Sequence, residues 1–165
     1  MPNDCDGIRY VLVPDLIAIN RWLIETQTPD EPIAVLKPTE LASAQQKPAN
    51  YRYYEQTDDM IVLTAVLIAG IIGNHPFANA NKRTAAAAAT VFLMLNGWQL
   101  TAPDSHLVFE IHEFLQGEGS YDDRFEYLQD WLAHWTTPRD ATENLFSDAF
   151  VRMVDHLGIP LDYPT

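Results

Sequence analysis

Long apolar stretches of helical period alternate along the chain with short polar breaks, and this pattern predicts a mainly helical protein. Leu16, Ile17, Ile19, Leu23 and Ile24 recur at near-helical spacing behind Pro14, which suits a first helical turn. Arg9 to Val13, just ahead, reads as a short strand. Thr28 to Pro38 carries three prolines and reads as a loop. Thr39 is placed to cap a short helix running to Lys47, with Pro48 as its stop. The most apolar stretch, Ile61 to Gly73, predicts a helix starting near Thr57 or Asp58 and stopping around Gly73-Asn74. At 1.5 Å per residue it is too short to cross a bilayer, which takes about 20 residues, so a buried helix is expected.

A second central helix is predicted from Asn81 to Asn96-Gly97. Its alanine run, Ala85 to Ala89, favours the helix and lets a neighbouring backbone approach closely. These two helices are expected to pack together as the centre of the fold. Trp98 to Leu100 reads as a short extended piece. Helices follow at Ser105 to Gln116 and Tyr121 to Trp135, the latter opened by a capping-box-like Ser120 and Asp123. Trp131 and Trp135, four apart, are expected in the core or an interface. Thr137, Pro138 and Asp140 predict the start of a last helix. Ala141, Leu145, Phe146, Ala149, Phe150, Met153, Val154 and Leu157 would form its apolar stripe. The expectation is an all-α single domain, residues 1–136 forming the main body and 137–165 an amphipathic helical extension packed on it. A short β-flap near the N-terminus is compatible with it.

Composition narrows the partners. The 165 residues suffice for one domain with a core, and the formal charge is −13. From Asp104 onward there are thirteen Asp and Glu against three Arg, so about −10 of that charge lies in the last 62 residues. Such a surface repels phosphate backbones, so nucleic-acid binding is not expected, while a basic partner is compatible with it. The one cysteine, Cys5, can form no disulfide within the chain, and the first residues lack a basic segment followed by an apolar run. A reducing, cytoplasmic setting is expected, with no membrane partner.

One segment carries chemistry: His75-Pro76-Phe77-Ala78-Asn79-Ala80-Asn81-Lys82-Arg83-Thr84. It joins the end of one central helix to the start of the next, where exposed amides and the positive end of the helix dipole favour an anion. Lys82 and Arg83 fall in the first turn, where cations are locally unfavourable, and Lys82 is one of only three lysines. The pair makes sense around a bound phosphate. An imidazole can accept a proton near neutral pH, so His75 beside a phosphate cradle suggests transfer of a phosphate-bearing group to a hydroxyl. A Lys-Arg pair can equally bind surface acids, and a loop histidine can be merely solvated; the residues alone leave both readings open. Elsewhere, His106 with Glu110 and His112 with Glu113 lack the HExxH form and a third ligand, and read as solvated helix faces.

The segment resembles the Fic/Doc signature, His-x-Phe-x-Asp-Gly/Ala-Asn-Gly/Lys-Arg. The likeness extends to Asn74-His75, the alanine-rich helix, Phe92-Leu93-x-Leu95-Asn96-Gly97, Tyr54-Glu55 and Trp131-Leu132, covering roughly residues 8 to 135. It implies that residues 1–136 are a catalytic domain in which His75 is the general base toward a Ser or Thr hydroxyl. Phe77 would anchor the loop, and Asn81, Lys82 and Arg83 would hold the phosphates of ATP. Lys82, where AMP-transferring members usually have glycine, and Ala86, where they carry a second arginine, resemble the Doc (death-on-curing) branch. That branch binds ATP in the reversed sense and transfers the γ-phosphate, with elongation factor Tu as known target class and a small antitoxin as usual partner. Asn79 replaces the acid that usually helps bind Mg²⁺, which implies weakened metal binding, a supplementary ligand from elsewhere, or a catalytically silent protein. The glycine-rich segment of the family is not recognisable in Thr28 to Pro38. Glu143-Asn144 resembles the end of an inhibitory helix, but Arg139 stands where that motif has Ser or Thr, and self-inhibition is not expected.

Overall fold

The computed structural model describes residues 7–140 and 146–159. Among these, five helices surround a central antiparallel pair, α3 (Met60–Asn74) and α4 (Asn81–Leu95). Both are apolar almost all round, as helices buried on several sides must be. α1 (Val13–Gln27) packs on α4, α2 (Pro38–Glu55) on α3, α5 (Asp104–Gln116) on α4 and α6 (Tyr121–Trp135) on α3. The architecture is the expected all-α one, and none of the helices is long and apolar enough to cross a membrane.

Four local expectations are corrected. Arg9 to Leu12 form no strand; Asn96 pairs with Arg9 through its side chain, accepting from Arg9 N and donating to Arg9 O, and so takes the place of a neighbouring strand. Val13 already belongs to α1, whose Asp15 carboxylate accepts from Leu12 N. No β-flap forms near Arg9; the nearest likeness is a single bridge, Val35 to Phe77, joining the loop between α1 and α2 to the loop between α3 and α4.

The second correction is Pro48. It does not end a helix at Lys47; α2 runs through it to Glu55, with Lys37 rather than Thr39 at the N-cap. Tertiary packing overrides the proline. Gly70 of α3 has no side chain at the crossing, where a Cβ would come within 3.3 Å of the Ala44 Cα and 3.0 Å of Lys47 Cδ. α2 therefore lies close along α3 over its length, burying Leu41, Ala44, Gln45 and Pro48 itself, which offsets the missing hydrogen bond.

Third, α3 starts at Met60, capped by Asp59, whose carboxylate accepts from Ile61 N, and it continues through Gly73 and Asn74. The left-handed residue that ends it is His75. Fourth, Thr136–Pro138 is a strand, β2, paired antiparallel with β1 (Trp98–Leu100). The last helix starts only at Asp148: α7 (Asp148–His156), capped by Ser147. Its Phe150, Met153 and Val154 are buried, and the Trp22 ring of α1 lies 4.5 Å from the His156 ring. Ala141, Leu145 and Glu143-Asn144 fall outside the described residues.

Candidate functional site

The loop between α3 and α4 is held in a fixed shape by its own residues and by the chain between α1 and α2. It opens and closes on two left-handed residues that are not glycine, His75 (φ 48°) and Ala80 (φ 61°). Such backbone costs of order 1 kcal/mol or more per residue, so surrounding contacts must impose it. Several do. Leu36 N and Lys37 N donate to Pro76 O at 2.8 and 3.1 Å, and Ala78 N donates to Ala34 O at 2.9 Å. Phe77 is 1% exposed and locks the loop onto the core.

Asn81 is the internal staple. Its Oδ1 accepts from Phe77 N at 3.0 Å, and its Nδ2 donates to Phe77 O at 2.9 Å. The same Nδ2 lies 3.4 Å from His75 Nε2. The side chain expected to hold phosphate is thus buried and engaged with the loop in this state. Asn20 of α1 supports the far side, its Nδ2 donating to Asn79 O at 2.8 Å and to Thr84 Oγ1 at 3.1 Å. Asn79 donates from Nδ2 to Pro32 O at 2.9 Å.

Arg83 is gripped from α1 and the loop after it. Its guanidinium donates to Gln27 Oε1, to Thr28 Oγ1 twice, and to Glu31 Oε1 at 3.4 Å. The surface-acid reading of the Lys-Arg pair therefore holds for Arg83 in this state, whereas Lys82 lines the cleft with no ion pair among the described residues. α4 has no side-chain cap, so its leading amides open to the same cleft.

That cleft, of about 600 Å³, brings together His75, Asn79, Asn81, Lys82 and Arg83 under a wall of Val108, Leu115 and Gln116 from α5. His75 is exposed at its mouth; Phe77 is not part of the lining but lies beneath it. Arg83 and Val108 also line a second, apolar pocket of about 380 Å³ on the far side of the guanidinium, walled by Trp22, Ala86, Ala87 and Phe150. Asp104 lines this pocket too, and burial pushes its carboxyl above the usual range despite the Ser147 hydroxyl. Among the described residues, no group of three His, Cys, Asp or Glu could hold a metal alone.

The residues that sequence reasoning missed are those that hold the others: Asn20, Gln27, Thr28 and Glu31. Only Asn20 left a signal, as an amide on the buried stripe Leu16, Ile19, Asn20, Leu23, Ile24. A buried polar side chain requires a partner, and here the partner is the motif loop.

A model of the Fic/DOC family matches residues 10–93, just over half of the chain, from before α1 almost to the end of α4. No curated protein matches the chain.

Proposed function

The chain belongs to the Fic/DOC family, whose members are generally transferases, and from that premise we propose that it is a Doc-type kinase. It would transfer the γ-phosphate of ATP to a Ser or Thr hydroxyl of a protein of the class of elongation factor Tu, blocking translation until a cognate antitoxin neutralises it. The observation that carries the orientation is the apolar pocket beyond Arg83. Ala86 lines it where AMP-transferring relatives would place an arginine, and so leaves room for a base and sugar. With adenosine there, the phosphates run past Arg83 and Lys82, and the terminal one reaches the α4 amides beside His75.

In this reading His75 Nε2 carries the lone pair that Asn81 Nδ2 faces at 3.4 Å, a weak contact that an incoming hydroxyl replaces. The hydroxyl proton passes to Nε2, the oxygen bonds to the γ-phosphorus, and the bond to the bridging oxygen breaks, leaving ADP. Lys82 and Arg83 compensate the charge on the leaving phosphates, Arg83 exchanging Glu31 for phosphate oxygens. Magnesium would be held chiefly by those phosphates, with Asn79 Oδ1, in the lining of the same cleft, as a neutral oxygen this chain could offer it. The hydroxyl-bearing segment would lie against residues 32–37, which already pair with the motif loop.

Incubation with magnesium, elongation factor Tu and ATP labelled at the α- or γ-phosphate tests this, with His75→Ala as control. Label from γ alone is expected. Label from α would establish AMP transfer instead. Intact nucleotide binding with no label in either case would establish a silent binding protein, the reading that Asn79 supports.

A further inference from the structure

We propose that the groove between α5 and α6 is a docking surface for a lysine- or arginine-rich segment of another protein that carries one large apolar side chain. The groove encloses about 460 Å³, within the range of sites that take a ligand side chain. Phe114 and Leu128 form its buried floor. Phe109 and Tyr127 line its sides and are 58% and 59% exposed. Two of the nine large apolar side chains exposed among the described residues, Phe109 and Tyr127, thus face one groove above a buried apolar floor. Apolar surface gathered in this way marks an interaction site rather than scattered exposure.

The charge of the groove selects the occupant. Glu110, Glu113, Glu118 and Asp123 line it. The one cation in its lining, Arg124, is turned to the backbone, Nε donating to Phe114 O and Nη1 to Gly119 O. The rim carboxylates are thus left without a hydrogen-bonded counter-charge from Arg124. Burial first, and then the neighbouring Glu113, push the Glu110 carboxyl above the usual range, with His106 only partly opposing. An acidic partner would be repelled. A basic segment supplies the missing counter-charge, its apolar side chain fills the space between Phe109 and Tyr127, and its cations can sit over those rings. The groove uses Phe109, Glu110 and Glu113 of α5, whereas the motif cleft uses Val108, Leu115 and Gln116. The proposal therefore stands apart from the transfer reading, and His75→Ala protein serves equally well to test it.

The probe is a fluorescein-labelled nonapeptide of lysine and arginine with a central leucine, followed by polarisation in about 150 mM salt, where long-range attraction is largely screened. Saturable binding is expected. Phe109→Ala, at an exposed position, should weaken it about tenfold, as interface anchors do. The pair Glu110→Lys and Glu113→Lys should weaken it at least as much, whereas Glu40→Lys with Glu55→Lys on α2 should change it less than threefold. Replacing the leucine of the peptide by glycine should match the loss from Phe109→Ala. No binding, equal losses from the two charge reversals, or indifference to both Phe109 and the leucine would overturn the proposal.

Discussion

The motif cleft and the α5/α6 groove are both surface hollows flanking the same helix, α5, yet they are built in opposite ways. The cleft is built on a loop whose motif side chains are mostly held by the protein itself: Asn81 by Phe77, Asn79 by Pro32, Arg83 by Gln27, Thr28 and Glu31. The groove is mostly side chain, with exposed rings and carboxylates whose one lining arginine serves the backbone. The difference separates preorganisation from recognition. A site of chemistry needs atoms held to a few tenths of an ångström before the substrate arrives, and strained φ values are tolerated for that purpose. A docking face needs unanswered surface for a partner to answer.

The largest expected effect falls on the cleft. His75→Ala should lower phosphate transfer by on the order of 10²–10⁴-fold, the usual worth of a positioned base, in the γ-labelling assay. His75→Gly should be equally inactive yet about 0.5–1 kcal/mol more stable in chemical denaturation, because glycine accepts the left-handed backbone without cost. Retained transfer in either variant would remove His75 from the chemistry.

Next comes the staple. Asn81→Ala leaves Phe77 N–H and C=O buried without partners and should cost about 2–4 kcal/mol in urea denaturation. Phe109→Ala in the groove should cost less than about 1 kcal/mol by the same measurement, since that ring is mostly in water. Similar losses at both positions would erase the contrast between a preorganised cleft and an open groove.

Glu31→Gln tests whether the counter-charge of the cleft competes with a ligand. A half-buried pair at 3.4 Å contributes modestly, so stability should move by less than about 1 kcal/mol. ATP affinity by calorimetry should rise about threefold or more, because phosphate no longer has to displace a carboxylate from Arg83. Unchanged affinity would mean that Arg83 stays with its protein partners when nucleotide binds.

The smallest effect is a pH slope. The Glu110 carboxyl is raised in the folded protein, by burial and then by Glu113. The folded state therefore holds its proton at a pH where the unfolded chain, with a value of about 4.3, has lost it. Stability from this group is greatest at low pH and declines as pH climbs from the unfolded value through the raised folded one. Glu110→Gln should flatten that decline in thermal melts between pH 4 and pH 7. An unchanged slope would show that burial and Glu113 do not raise the Glu110 carboxyl in the folded protein.

Much of this was legible in the residues. Helices α4, α5 and α6 lie within a residue or two of where period and caps place them, and Ser120 caps α6 by accepting from Asp123 N, as its spacing suggested. The motif residues are contiguous, so the loop alone brings His75 and Lys82 to one cleft. Pro48, by contrast, was misread because a proline is a local signal, whereas the close crossing at Gly70 and Ala44 joins segments far apart in sequence. Thr137 and Pro138 imitate a helix start, but their strand partners, Gln99 and Trp98, lie some forty residues earlier.

By itself, then, the sequence determined the helical class and the loop that carries the family signature, because periodicity, caps and a contiguous motif act over a few residues. Only the tertiary structure decided that His75 and Ala80 take the left-handed backbone, that Arg83 is held by Glu31 from the loop after α1, and that two helices leave an acidic, aromatic groove between them. Each depends on which distant groups meet, and that is settled by how helices pack rather than by what any one of them is made of.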